Sequence, residues 1–233
     1  MLYFEGLMTL FFMWKFLATA GVLAAGLPAL ADPITVDDWF TPHAQGCMIL
    51  QECTDDVEPV WGIGVLRAEY PDANWDTVAS EFSRILNALT LVDVQVYLAD
   101  AKYFPVGHRG VYHTVGNNFF LNKSFVGRPH ILMSVMRHEG WHAAQDCMAG
   151  TIDNSMIAII KPEDDVPQFW QDLVENTYPE QSWPWEKEAT WAGKTEGMTM
   201  QALEACSRGK MWEEYEPTPM TREWLELNKY IDK

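Results

Sequence analysis

The residues best suited to chemistry in this 233-residue chain are His138-Glu139-Gly140-Trp141-His142, an H-E-x-x-H run. On an α-helix, positions four apart share a face, so both imidazoles can reach one ion while Glu139 faces a water beside it. Zinc takes neutral imidazole nitrogens, and a catalytic site adds a third protein ligand and keeps one position open. The ion would bring bound water toward neutrality and polarise a carbonyl, with the carboxylate taking the proton. A random match arises on the order of once per hundred chains of this composition. The long metzincin extension is absent, because residue 145 is Gln, residue 148 is Met and no histidine follows His142. The third ligand must therefore be acidic. Glu186 and Glu188, in Glu186-Lys187-Glu188-Ala189-Thr190-Trp191-Ala192-Gly193, are the candidates. Either could instead be an acid favoured at a helix N-terminus.

The pairing of this histidine motif with Glu186-x-x-Ala189 resembles the gluzincin peptidases, in particular their HtpX and CAAX-prenyl-peptidase branch and small bacterial and phage metallopeptidases. The resemblance spans roughly residues 110–206. It implies that Glu186 is the third ligand and Ala189 the small packing residue. Thr190 stands where the family's Asp would orient a ligand histidine, and a hydroxyl there lacks the carboxylate's charge. The thermolysin-like arrangement, with the glutamate directly before the alanine, keeps Glu188 as the rival. The implied fold is zincin-like α+β: a small mixed sheet whose edge strand packs on the histidine helix, with a glutamate helix alongside. The implied activity is peptide-bond hydrolysis with one zinc per chain and Glu139 as general base. A secreted, zinc-stabilised binding protein without catalysis is the alternative. Oxyanion stabilisation commonly falls to Tyr, His or Arg near the metal, which makes Tyr178, Tyr215 and His113 candidates. His43, His108 and His130 read as surface or capping residues.

Several elements must position these groups. Pro129 suits a first helical turn, and the pattern predicts a helix over 131–148, ended by Gly150. A second long helix is predicted over 185–207, near Gly209. Apolar residues recur at helical spacing over 72–89, including Trp75, Phe82, Ile85 and Leu89. Residues 94–98 alternate like a strand, and 111–121 is extended around the turn Gly116-Asn117-Asn118. That second stretch sits where zincins place the substrate-binding edge strand. An acidic, aromatic helix is predicted over 163–178, a closing one over 221–230, and an irregular segment over 32–70. Trp170, Trp183 and Trp185 can wall a cleft or fill a core equally well.

The chain has 48% hydrophobic and 13% aromatic residues, ample for one large core, and no repeat divides it. Its formal charge of −17 disfavours binding to phosphate backbones and anionic lipid and permits cationic or neutral partners without naming any; a peptide or protein substrate is the partner that the gluzincin resemblance implies. Residues 1–31 read as a leader: Lys15, an apolar run from Phe16 to Leu27, then Pro28 and the small-x-small site Ala29-Leu30-Ala31. Met1 to Gly6 stand outside fold reasoning. Residues 32–233 form one expected domain, secreted or periplasmic, or membrane-anchored if the leader stays. In an oxidising compartment the even set Cys47, Cys53, Cys147 and Cys206 allows three pairings. The short spacing of Cys47 and Cys53 favours joining them and leaves Cys147 with Cys206. A zinc–thiolate site and a free inhibitory Cys47 are the alternatives.

Overall fold

The computed structural model describes residues 40–150 and 156–229, so the leader expected over residues 1–31 lies outside them. The chain is mixed α+β, with many helices around one four-stranded sheet. Strand β1 (Val57–Pro59) pairs antiparallel with β2 (Gln95–Ala99), which runs parallel to β4 (Asn118–Asn122). Strand β3 (Gly110–His113) pairs antiparallel with β4 and ends the sheet, in the order β1-β2-β4-β3. Alternation along the inner strands divides two cores. Val96, Leu98, Phe119 and Leu121 join the main core, while Ala99 and Phe120 face a smaller cluster with Met48, Tyr103 and Phe104.

That smaller cluster explains why the opening segment is less irregular than its sequence suggests. Helix α1 (Pro42–Ile49) starts with Thr41 accepting from the Ala44 amide at 3.0 Å and Pro42 in its first turn, and the Cys47–Cys53 disulfide ties its end. Helix α2 (Ile63–Glu69) follows β1. The helix expected over 72–89 begins as a single tight turn at Trp75–Thr77 and becomes α3 (Ala79–Leu91), burying Phe82, Ile85 and Leu89. The short α4 (Lys123–Val126) then leads into α5 (Pro129–Met148), the central helix. Helix α5 buries residues around most of its circumference, Leu132, Met136, Trp141 and Ala144 among them.

Two expected helices are broken, each at a recognisable residue. The acidic stretch gives a tight turn at Glu163–Asp165, then Pro167, then α6 (Gln168–Glu175). The long helix expected over 185–207 is two: α7 (Trp183–Lys194) and α8 (Met198–Ser207). Gly197 sits between them at φ 82°, a left-handed conformation that glycine adopts freely. Two short helices close the described chain, α9 (Met211–Glu214), not foreseen, and α10 (Pro219–Leu227).

Cys147 is bonded to Cys206, so the bridge clips the end of α5 to the end of α8, not to the helix carrying Glu186. All four cysteines are paired, which removes the zinc–thiolate and free-Cys47 alternatives. Two disulfides fit an oxidising compartment. Among the described residues no helix is long and apolar enough to cross a membrane.

Candidate metal centre

Helices α5 and α7 cross closely enough to bring two distant pieces of sequence together. The crossing needs Gly193: a Cβ there would lie 3.1 Å from the Ser134 carbonyl oxygen and 3.2 Å from His138 Cβ. From this crossing, one face of α5 presents His138 and His142, and the first turn of α7 presents Glu186. Glu186 Oε2 is 3.2 Å from His138 Nε2, and Glu186 Oε1 is 3.7 Å from His142 Nε2. All three donor atoms lie within 4.8 Å of one another.

This arrangement fits a metal ion. Donors about 2.1 Å from a tetrahedral ion stand roughly 3.4 Å apart, close to the two measured separations. Glu186 Oε2 is buried with no well-aligned hydrogen bond, although the His138 nitrogen is near it, so the atom faces the imidazole across a gap that lacks a proper proton bridge. Side-chain exposures of 18% for His138, 11% for His142 and 17% for Glu186 leave the group mostly buried and partly exposed. Among the described residues no fourth His, Cys, Asp or Glu joins it. Burial alone would depress the His138 pKa, but the nearby Glu186 carboxylate outweighs it and holds the imidazole above its ordinary value. Burial would likewise raise Glu186, yet the charges of His142 and His138 hold its carboxyl below the usual range.

Gln145, one turn beyond His142, sets that residue's tautomer. Its Nε2 donates to the Trp185 carbonyl at 3.1 Å and to Glu188 Oε1 at 2.5 Å, two acceptors that fix which end of the amide carries the protons. Its Oε1 is thereby turned to His142 Nδ1, 2.6 Å away. An amide oxygen only accepts, so Nδ1 carries the hydrogen and Nε2 keeps its lone pair toward Glu186. Glu188 is therefore built into the support. It is buried, accepts the Ile160 amide at 3.0 Å and the Lys161 amide at 2.8 Å, and is pushed by burial up to about 7, with the hydrogen bonds opposing. Thr190 does not take the orienting role assigned to it: among the described residues no hydrogen bond joins it to either imidazole. His138 is instead steadied by the Ala189 backbone.

Glu139 lies against the edge strand. A Cβ on Gly110, the first residue of β3, would come 3.1 Å from Glu139 Cγ and 3.2 Å from Oε1, so strand and carboxylate are in direct contact. Of the three oxyanion candidates, Tyr178 reaches the site. It is partly exposed, and burial with the charges of Glu186 and Glu139 raises its pKa and holds the phenol protonated. The Trp183 indole fastens this residue by donating to the Tyr178 carbonyl at 2.9 Å, while Trp185 donates to Ile157 O at 3.0 Å. Trp170 is half-buried on α6. Tyr215 sits instead by Lys161, Arg208 and Glu214, and His113 lies beside Gly116 at the hairpin end of β3.

His108 corrects the sequence reading. His43 and His130 are exposed, as a surface role requires, but His108 is half-buried just before β3, where the charges of Glu139 and Glu186 act on it. Burial nevertheless keeps its pKa below the ordinary histidine value, so it faces the carboxylates uncharged at neutral pH. The signal available in sequence was only its distance of two residues from the edge strand. No protein-family model, no curated protein and no solved structure matches this chain.

Proposed function

We propose that this protein is a zinc-dependent peptidase of gluzincin type on a zincin-like fold, with His138, His142 and Glu186 as metal ligands and Glu139 as general base. The observation that carries the reading is the three-donor group, partly exposed and without a fourth ligand among the described residues. Structural zinc sites are usually closed by four protein ligands, and catalytic ones hold three. Zinc bound there would supply a Lewis acid and a water of near-neutral pKa.

The chain's own residues do the rest. Glu139 accepts the water's proton and returns it to the leaving amine, held for that task by its contact with β3. Tyr178, kept protonated, donates toward the carbonyl oxygen where negative charge develops. Among the described residues strand β3 is an end strand of the sheet, where an extended substrate could add as a further strand with its carbonyl beside Glu139. Gln145 and Glu188 hold His142 in the required tautomer throughout. The two disulfides agree with work outside a reducing compartment.

The test is a zinc measurement paired with cleavage of an unstructured protein. Glu139→Gln is expected to keep one zinc per chain and lose turnover. Full activity in that variant would overturn the mechanism. Zinc retained in His142→Ala would overturn the metal site.

A further inference from the structure

Among the described residues two carboxylates are buried outright, Glu188 and Asp146. Burying a carboxylate is costly unless hydrogen bonds hold it in place. Glu188 braces Gln145 and, through it, His142. Asp146, which follows Gln145 on α5, accepts a hydrogen bond from the Tyr112 hydroxyl of β3 at 2.8 Å. Asn117 Oδ1, in the turn after β3, is 3.4 Å from the same hydroxyl, so the single proton goes to the nearer carboxylate. Burial, and then the Asp146 charge, raise the Tyr112 pKa and keep the phenol a donor.

This bond lies on the face of α5 that serves the candidate metal centre. Glu139, His142 and Asp146 follow at intervals of three and four residues, so they share that face. Glu139 and Asp146 stand about 10.5 Å apart along the helix axis. On β3, Gly110 and Tyr112 are two residues apart and point to the same side of the sheet. Gly110 closes against Val135 and Glu139, and Tyr112 reaches Asp146. The strand is thus fastened to the helix at two points, with His142 between them. Strand β3 is only four residues long and, among the described residues, has a ladder on one side alone, to β4. That ladder fixes it to the sheet, and the Tyr112–Asp146 bond fixes it to α5.

We propose that the Tyr112–Asp146 hydrogen bond is a positioning device that sets where a substrate strand lies relative to Glu139 and the metal ligands. The proposal rests on the peptidase reading and narrows its substrates to extended peptides that add to β3. Both residues act through the strand and not on the reacting atoms. A peptide paired with β3 takes its place from that strand. A slip of β3 along α5 therefore carries the scissile carbonyl away from Glu139, and a misplacement of about 1 Å can cost about a hundredfold in rate.

The test compares two probes by calorimetry on zinc-loaded protein. Acetohydroxamate engages the ion alone, whereas N-acetyl-trialanine hydroxamate also has a backbone to pair with β3. Wild type should bind the peptide probe about tenfold or more tightly. Tyr112→Phe keeps the ring and should remove most of that preference, with zinc content and acetohydroxamate affinity unchanged. Asp146→Asn, whose amide oxygen still accepts from Tyr112, should retain the preference. Asp146→Leu should lose it, and adding Tyr112→Phe should cost nothing more. Tyr103→Phe removes another hydroxyl bond, to the Asp55 carbonyl at 2.8 Å beside the smaller core, and should change neither affinity. An intact preference in Tyr112→Phe, equal weakening of both probes, or a loss matched by Tyr103→Phe would overturn the positioning role. A wild type with no preference for the peptide probe overturns it as well. Cleavage of an unstructured protein at the same rate by wild type and Tyr112→Phe refutes the positioning role and leaves the peptidase. A preference that depends on Tyr112, with no cleavage by wild type, refutes the peptidase and leaves the positioning of a bound strand.

Discussion

Replacing Gln145 by Met removes three hydrogen bonds while keeping a side chain of nearly the same length. The residue is fully buried, so the loss is not made good by solvent at that position. Of its partners, Glu188 Oε1 keeps the Ile160 amide at 3.0 Å, but the Trp185 carbonyl and the His142 Nδ1–H lose the bonds that Gln145 supplied. At about 1–3 kcal/mol for each orphaned buried group, with His142 close enough to solvent to recover part, the expected destabilisation is about 2–4 kcal/mol. The ligand histidine also loses what fixed its tautomer, and outer-shell changes of this kind cost about 10–100-fold in metal affinity. Competition for zinc against a chromophoric chelator gives the affinity, and urea unfolding of the metal-free protein gives the stability. Gln145→Glu separates orientation from packing. Its carboxylate still accepts from His142 but stands against Glu188, so it should lose stability while holding zinc better than the Met variant. Wild-type zinc affinity in Gln145→Met would refute the orienting role.

Glu186→Gln should weaken zinc binding far more than Glu188→Gln, which alters only the support; the reverse order, read by the same competition assay, would exchange the two roles. Glu188 also predicts a pH dependence. Its carboxyl is pushed by burial up to about 7 in the folded protein against 4.5 for an ordinary glutamate, so the folded state holds the extra proton, and stability should fall as pH rises from about 4.5 to about 7. The difference in unfolding free energy between the metal-free wild type and Glu188→Gln should change by about 3 kcal/mol across that window, and a flat difference would remove the claim. Cys147→Ala with Cys206→Ala opens a bridge between residues 59 apart, and should cost about 4 kcal/mol in the chain-entropy picture while leaving the zinc ligands in place, as urea midpoints and metal content would show. Gly110→Ala pushes a methyl to within 2.7 Å of Val135 and 3.1 Å of Glu139. With Val135→Ala added to relieve the first contact, zinc should remain and kcat should drop about tenfold or more, since small displacements of a catalytic group are costly; an unchanged kcat would show that Glu139 tolerates the shift.

The central helix was legible because two independent signals agreed on it, Pro129 at its start and the four-residue spacing of its histidines. The opening segment was misread because its stabilising partner is remote. Thr41 and Pro42 mark a helix start, but α1 is held by Met48 against Phe104 and Phe120, contacts no local pattern announces. The break at Gly197 was visible as a residue but not as a conformation. Glycine tolerates a helix interior at roughly 1 kcal/mol, so only the direction in which α8 must run decides that the chain turns there.

The same division runs through the site. Candidate ligand positions can be indexed on helix faces, which is why His138 and His142 could be paired by spacing, while Glu186 was favoured over Glu188 only by resemblance to a motif. What surrounds them does not follow from spacing. Glu188 lies two residues from Glu186 on the same helix, and a helix sends such neighbours about 200° apart, one into the cleft and one toward the backbone at 160–161. Gln145 gains its role only because Trp185 and Glu188 orient its amide. His108 gains its place through Asn122, a buried residue that donates from its side chain to the His108 carbonyl at 2.8 Å and from its backbone to Arg109 O at 3.0 Å. That clamp fixes the loop entering β3 and sets His108 near, and Gly110 against, Glu139. The candidate metal-binding side chains thus sit on helix faces that sequence can index, while His108 sits on a loop whose position depends on one asparagine at the end of another strand.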